Sequence, residues 1–239
     1  MRSRSQSKIR KQLLCLLLSL AMLSSLLVIP AAAKGPEDAV APVYNAAEDV
    51  YEISTPAQLM YLSGTWKEGA PRDGNYVLTA DIDMAGWEGF KPIASEKEEG
   101  YLGTFDGRFH VIRNLTIDYP KKYVGLFGYV GNENDQAYVK NVAMIDCEIR
   151  GQQNVGGIAG TMGVENLLDP EEDNKDEGTS LLRTSYTVSA VLIGNINEGS
   201  ITAKKDMVGG IVGQEELGLV TACESYGDVT GVNQVGGIA

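Results

Sequence analysis

Hydrophobic residues recur along most of this chain in short groups, separated by glycine, asparagine and aspartate. Segments such as 138–142 and 229–232 are rich in β-branched residues and are bounded by turn-forming residues. No amphipathic helical run of ten or more residues occurs between the glycine motifs. The pattern predicts an all-β fold built from many short strands.

The first 33 residues are predicted to be a secretory signal peptide. A 17-residue apolar run from Leu13 to Ile29 is followed by small residues that suit a cleavage site near Ala33. The alternative is an uncleaved anchor, because 17 residues is at the lower edge of what can span a bilayer. We expect cleavage, export to the cell surface or beyond, no membrane attachment afterwards, and a linker at 34–50. The basic residues that precede the run are Arg2, Arg4, Lys8, Arg10 and Lys11.

A glycine motif repeats four times, and its first residues are 31, 53 and 27 positions apart. The long spacing is interpreted as one repeat with two insertions, because Gly178 and Gly218 are both followed shortly by Ser-Tyr, at Ser185 and Ser225. The first insertion contains the acidic loop Asp169–Glu177, which is expected to be solvated. The four copies are Val124-Gly-Leu-Phe-Gly128, Val155-Gly-Gly-Ile-Ala-Gly160, Val208-Gly-Gly-Ile-Val-Gly213 and Val235-Gly-Gly-Ile-Ala239.

A repeat of about 27 residues made of short strands cannot bury its own apolar face, whereas stacked copies can. This length predicts a parallel β-helix over residues 51–239. A β-propeller is the alternative, but its blades need about 40 residues. Thr55-Pro-Ala-Gln58 carries helix-start signals, and we assign the short helix that follows to capping the first coil.

The ordered set of motifs resembles bacterial surface proteins with GLUG-motif repeats, a motif that also occurs in the non-catalytic region of immunoglobulin A1 metallopeptidases. The resemblance covers roughly residues 51–239 and implies a right-handed parallel β-helix in a secreted or wall-associated protein. It does not imply peptidase activity, because a single His cannot form His-Glu-x-x-His. The matching segments are Ile53–Leu59, Tyr76–Asp83, Thr104–Gly107, His110–Thr116 and the glycine motifs.

Charge and composition exclude several classes. The formal net charge is −12, and removal of residues 1–33 takes away five basic and no acidic residues, which makes it −17. So acidic a chain is not a nucleic-acid binder. No cofactor and no catalytic, cofactor-binding or metal-binding residue is predicted.

Cys147 and Cys223 are expected to be free and buried. One coil lies between them, which puts them roughly 9.6 Å apart, beyond the reach of a disulfide bond.

Four features are candidates for chemistry. His110 with Asp106 is a possible base with its orienting carboxylate, although a structural His is favoured. Asp81 and Asp83 share one strand face and suit glycan hydrolysis or calcium, against hydrogen bonding to turn amides. The acidic loop lacks the spacing of a calcium loop. Asn114-Leu-Thr116 fits the glycosylation pattern, but we expect a core strand without sugar.

The leading hypothesis is an exported, non-catalytic β-helical module for adhesion or cell-envelope interaction, with host or envelope glycans or proteins as partners. One alternative is a glycan-acting β-helix enzyme that uses carboxylates alone. Another is the N-terminal part of a larger surface enzyme such as a peptidase, since the last glycine motif stops at Ile238-Ala239 without a capping repeat. We therefore expect the repeat region to continue beyond residue 239.

Overall fold

The computed structural model describes residues 32–64, 66–67, 69–96, 99–131, 136–163, 188–216 and 218–239. The chain separates into two compact units, and the description below concerns the second, Ala33–Ala239. The predicted signal peptide up to residue 31, the acidic loop 169–177 and the Ser-Tyr pair at 185–186 lie outside the described residues.

The regular secondary structure of the described residues consists almost entirely of short β-strands. They form β1 (Val43–Asn45), β2 (Val50–Ile53), β3 (Tyr76–Leu78), β4 (Ile82–Asp83), β5 (Thr104–Asp106), β6 (Val111–Arg113), β7 (Thr116–Asp118), β8 (Lys122–Val124), β9 (Phe127–Val130), β10 (Ala137–Lys140), β11 (Ala143–Ile145), β12 (Glu148–Gly151), β13 (Gln153–Gly156), β14 (Ala159–Met162), β15 (Ala190–Ile193), β16 (Ile196–Asn197), β17 (Ser200–Ala203), β18 (Val208–Gly209), β19 (Val212–Glu215), β20 (Gly218–Thr221), β21 (Glu224–Ser225), β22 (Val229–Thr230) and β23 (Val235–Gly236).

The helical elements that the structure describes include a 3-10 helix, Pro36–Asp38, and the α-helix α1, Pro56–Tyr61. The helix starts where the sequence predicts. Thr55 Oγ1 accepts a hydrogen bond from the Gln58 amide at 3.3 Å, and Gln58 Oε1 accepts one from the Thr55 amide at 3.1 Å. This reciprocal capping satisfies backbone donors that the first turn of a helix leaves free.

The strands are arranged in five sheets that the chain visits in turn. After β5, β6, β7, β8 and β9 in five different sheets, it returns to the first sheet with β10 and repeats the order. We call one such passage a coil. Equivalent strands of successive coils pair in parallel, as in β5-β10-β15-β20 and β7-β12-β17-β22. Only β1 pairs antiparallel among the named strands, so part of the segment predicted as a linker extends the first sheet.

The prediction of two insertions in the repeat between Val155 and Val208 is wrong. Ala190, not Gly178, pairs with Gly218, and Asn197 pairs with Ser225. Ala190 lies 35 positions after Val155, whereas Gly218 lies only 10 positions after Val208. The rest of the repeat has nearly the same length in both coils, with 18 positions from Ala190 to Val208 and 17 from Gly218 to Val235. Nearly all of the extra length is therefore one insertion between β14 and β15, and the repeated Ser-Tyr dipeptide is a coincidence of sequence.

The core consists of columns of apolar side chains that run from coil to coil. Ile117, Ile149 and Ile201 are aligned on neighbouring strands and fully buried. Since side chains alternate along a strand, the intervening residues of β7, β12 and β17 face outward. Burying each such side chain contributes about 1.5–3 kcal/mol. A second fully buried column comprises Val124, Val155 and Val208.

Two buried asparagines occupy the same core without leaving unsatisfied amide groups. The Asn195 side chain accepts from the Val142 amide at 3.1 Å and donates to the Val139 carbonyl at 2.8 Å. The Asn197 side chain bonds both the amide and the carbonyl of Gly199 at 3.1 Å. A buried polar group is tolerated only when it is hydrogen-bonded in this way.

The glycines of the repeated motif lie where backbone packs on backbone. A Cβ at Gly156 or Gly209 would overlap the carbonyl oxygen three residues later, and a Cβ at Gly210 would overlap the Gly237 carbonyl of the next coil. The residue before the motif valine is left-handed in all four copies, with φ of 62° at Tyr123, 55° at Asn154, 63° at Met207 and 52° at Gln234. The motif therefore marks a tight corner of the backbone that recurs in each coil.

Replacing Gly210 by alanine is expected to lower the free energy of unfolding by about 1–3 kcal/mol, because the new methyl group has no room between coils. Gly237→Ala is the matched control, since Gly237 has the same motif position but no atom within 4 Å of a Cβ. Its effect should stay within about 0.5 kcal/mol. Denaturant unfolding measures both; equal losses would contradict the packing described.

Candidate functional site

The outer face of β4 and β6 carries most of the polar side chains that the sequence singled out. Ile82 and Ile112 pair in register and are fully buried. Their neighbours therefore point to solvent, because side chains alternate along a strand. Asp81 and Asp83 do share one face, as predicted, beside Arg113 on the next strand.

Asp81 links β4 to β6. Its Oδ1 accepts the Val111 amide at 3.0 Å and lies 3.2 Å from His110 Nδ1. The amide hydrogen bond, and then the imidazole, lower the pKa of the Asp81 carboxyl group. His110 is thus paired with a carboxylate, but with Asp81 and not with Asp106, the residue that the sequence suggested as its orienting partner.

Asp106 has different partners. It accepts hydrogen bonds from the Arg108 amide at 2.9 Å and from Asn141 Nδ2 at 3.1 Å, and its Oδ2 lies 3.4 Å from Lys140 Nζ. Burial by itself would raise the pKa of Asp106, but these hydrogen bonds and the lysine charge outweigh it and lower the pKa. Asp106 therefore secures the turn after β5 to the neighbouring coil.

Asp83 is also held as a carboxylate. Its Oδ1 accepts Asn114 Nδ2 at 2.8 Å and the Ala85 amide at 3.0 Å. The Asn114 hydrogen bond is the larger cause of a lowered pKa at Asp83. A glycosidase of the two-carboxylate type needs one carboxyl group with a raised pKa to act as the general acid. The pKa values of Asp81 and Asp83 are instead both lowered.

A groove of ≈ 400 Å³ opens beside Asn114. Trp87 provides aromatic surface, Phe90 lies buried in the groove wall, and Glu88, Asn114 and Asp118 provide polar groups. Its position follows from the topology, since β7 is the last strand of its sheet and has no partner strand on the groove side. The segment after β4 pairs instead with Lys34, whose ammonium lies 5.5 Å from the centre of the Trp87 ring.

The remaining sequence candidates do not converge on this face. Among the described residues, no group of three or more His, Cys, Asp or Glu side chains could hold a metal ion. Asn114 was expected in a core strand, but it is exposed at the turn between β6 and β7 and has a φ of 55°. That expectation was wrong because the glycosylation pattern spans a corner, where only Leu115 points inward.

The two cysteines among the described residues are free, Cys147 between β11 and β12 and Cys223 between β20 and β21, in the coils before and after that of β16. Cys147 is buried, which raises the pKa of its thiol to about 11. Cys223 is only half-buried, and this partial burial also raises the pKa of its thiol. The separation by one coil agrees with the sequence prediction, but the burial of Cys223 is smaller than predicted.

Two aromatic residues at this surface were missed from the sequence. Trp87 lines the groove, and Phe109, in the turn before β6, exposes 79% of its surface. A signal was available for Phe109, because it lies two residues after the Asp-Gly turn residues at 106–107, where an apolar side chain is unusual. No comparable local pattern marks Trp87.

Fold and site together define a class: an all-β protein of parallel strands in several sheets, with a polar face and an open groove. No protein-family model matches the chain. A stretch of 126 residues is 37% identical to halomucin of Haloquadratum walsbyi, which covers 48% of this chain and 1% of halomucin.

A solved structure shares the fold. It is that of a Bacteroides ovatus protein provisionally named an immunoglobulin A1 protease, with a TM-score of 0.53 and 21% sequence identity. The similarity covers 79% of this chain and 60% of that protein, so this chain spans less than two thirds of either relative. Within the described residues, no helix is long and apolar enough to cross a membrane.

Asn114→Ala is expected to raise the pKa of Asp83, because it removes the main hydrogen bond to the carboxylate. Native Asp83 should titrate below the unperturbed value of about 3.9. The ionised Asp83 therefore stabilises the folded protein at a pH above this unperturbed value, and this stabilisation is lost as the pH falls through the lower pKa of the folded state. Carboxyl NMR titration measures the shift, with Asn141→Ala as the control that leaves Asp83 unchanged. An unaltered Asp83 titration in Asn114→Ala would contradict the assignment.

Proposed function

We propose that residues 51–239 form a right-handed parallel β-helix of an exported surface protein, related to the bacterial proteins with GLUG-motif repeats. The repeated passage through five sheets and the motif glycines packed between coils support the β-helix. The likeness to halomucin and to the Bacteroides ovatus protein supports a secreted or surface location. The predicted signal peptide at 1–33 gives the route of export.

In this proposal α1 caps the first coil. Its residues Gln58, Leu59 and Met60 are buried, and Leu59 and Met60 belong to the apolar core. The Val40 amide donates to the Ala57 carbonyl at 3.1 Å, which ties the preceding segment to the helix. Such a cover hides apolar surface and strand edges that would otherwise invite aggregation.

The module is proposed to bind without catalysis, in adhesion or cell-envelope interaction, with host or envelope glycans or proteins as partners. The observation that carries this proposal is the β4–β6 face, where carboxylates held as anions by hydrogen bonds lie beside an open groove lined by Trp87. Pockets that pair aromatic surface with a few fixed polar groups are typical ligand sites. The carboxylate-only enzyme gains no support there, since neither Asp81 nor Asp83 is suited to be the acid.

The test uses the purified full chain with a panel of polysaccharides and with cell-envelope preparations. Sedimentation and affinity electrophoresis should detect binding to at least one of them, while assays for reducing sugars and unsaturated products should stay at background over a day. Charge-neutral replacement of both carboxylates, Asp81→Asn with Asp83→Asn, should leave those product assays unchanged.

Product release that the double replacement abolishes would overturn the non-catalytic proposal and restore the glycan-acting enzyme. Absence of binding to every glycan and envelope preparation would overturn the adhesion proposal.

A further inference from the structure

The turn between β5 and β6 is longer than its counterparts. Four residues separate Asp106 from Val111, whereas two separate the aligned residues of the following coils, Lys140 from Ala143 and Ile193 from Ile196. The two additional residues protrude from an otherwise regular corner. Arg108 and Phe109 lie at the middle of this turn.

Hydrogen bonds hold the turn at every amide. The Gly107 amide donates to the Lys140 carbonyl at 2.8 Å, the Phe109 amide to the Asn141 carbonyl at 3.1 Å, and the His110 amide to the Gly107 carbonyl at 2.8 Å. Carboxylates accept hydrogen bonds from the other two amides: Asp106 from the Arg108 amide, and Asp81 from the Val111 amide. The turn is therefore anchored to the next coil and to β4, and Phe109 is presented in one fixed place.

The backbone conformation of this turn is energetically unfavourable for Arg108 and Phe109. Arg108 and Phe109 have φ values of 48° and 64°, in the left-handed region that glycine adopts without strain. Phe109 gains little from packing to offset this strain, because 79% of its surface is exposed. A strained, exposed aromatic residue on a rigid turn is a feature that function explains better than folding does.

We propose that Phe109 is the aromatic platform of a saccharide-binding surface, an inference that rests on the proposed glycan-binding function and locates it. The residues on either side of Phe109 in the turn form polar pairs: Arg108 lies 2.5 Å from Glu48, and His110 lies 3.2 Å from Asp81. The recorded hydrogen bonds of Asp81 fall on Oδ1, and 58% of its side chain is exposed, so Oδ2 can accept from a ligand hydroxyl.

This chemistry fits a sugar ring better than a protein. One sugar face offers a small apolar area ringed by hydroxyl groups, which matches a single aromatic ring bordered by carboxylate, imidazole and guanidinium groups. A protein interface instead surrounds its aromatic anchors with a larger desolvated patch. The formal net charge of −17 after removal of residues 1–33 disfavours acidic polysaccharides, so the ligand is a neutral saccharide.

The surface continues from Phe109 along β6 to the groove. Asp81, Asp83 and Arg113 lie between Phe109 and Asn114, and Trp87 lies beyond Asn114. The three residues of β6 span on the order of 10 Å, with Phe109 in the turn before the strand and Asn114 in the corner after it, which suits a short oligosaccharide. Aromatic surface at both ends, with hydrogen-bonding groups between, suits a linear chain of several sugar rings.

The experiment compares wild type with Phe109→Gly. Affinity electrophoresis would be run with neutral polysaccharides (laminarin, dextran, xyloglucan and galactomannan) and with polygalacturonate. Wild type should bind a neutral polysaccharide and not polygalacturonate. Phe109→Gly should weaken binding at least about tenfold and raise the Tm by about 2–4 °C, because it relieves backbone strain without emptying a packed site.

Two further variants complete the design. Phe109→Trp should keep binding, since the aromatic face remains. Tyr226→Ala, which removes another aromatic side chain that is 69% exposed, should leave binding unchanged. A fall in Tm for Phe109→Gly, or binding within twofold of wild type, would overturn the inference while leaving a surface-binding function intact. Binding only to envelope material, abolished by protease treatment of that material, would overturn the saccharide assignment in favour of a protein partner.

Discussion

The close approach of backbone to backbone between neighbouring coils is the constraint on which the rest of the structure depends. In-register pairing fixes each strand directly on its equivalent in the previous coil, as Val155 is fixed between Val124 and Val208. That spacing leaves no room for a Cβ at Gly156, Gly209 and Gly210 of the motif. The apolar columns, the outward polar faces and the left-handed corners before each motif valine all follow from this stacking.

The sequence predicted the stacking because glycine and valine recur with it. The all-β content, the start of α1 at Pro56 and the separation of the two cysteines by one coil agree with the structure. The register of the third coil was missed, because Gly178 and a Ser-Tyr dipeptide imitate positions that Ala190 and Asn197 occupy in space. Strand pairing is decided by the columns of buried residues, which tolerate alanine or asparagine where the motif has another residue.

The site was less predictable than the fold. The shared face of Asp81 and Asp83 follows from strand alternation alone. Their partners do not, because the Val111 amide and Asn114 reach them from a strand thirty residues further along the chain. The same hydrogen bonds explain why carboxylates that resemble a catalytic pair in sequence serve to connect coils. Trp87 gains significance only from its place beside these groups, which no local pattern encodes, whereas an apolar residue close to the Asp-Gly turn marks Phe109 in the sequence.

The most direct test of the stacking is a set of distances between aligned outward positions of four coils. Spin labels would be placed on Asp118 paired in turn with Arg150, Thr202 and Thr230, in a background without Cys15, Cys147 and Cys223. The account predicts backbone separations that rise in equal steps of about 4.8 Å, to roughly 14 Å for the last pair. Separations that do not increase with coil number, or a jump between the second and third positions, would contradict it.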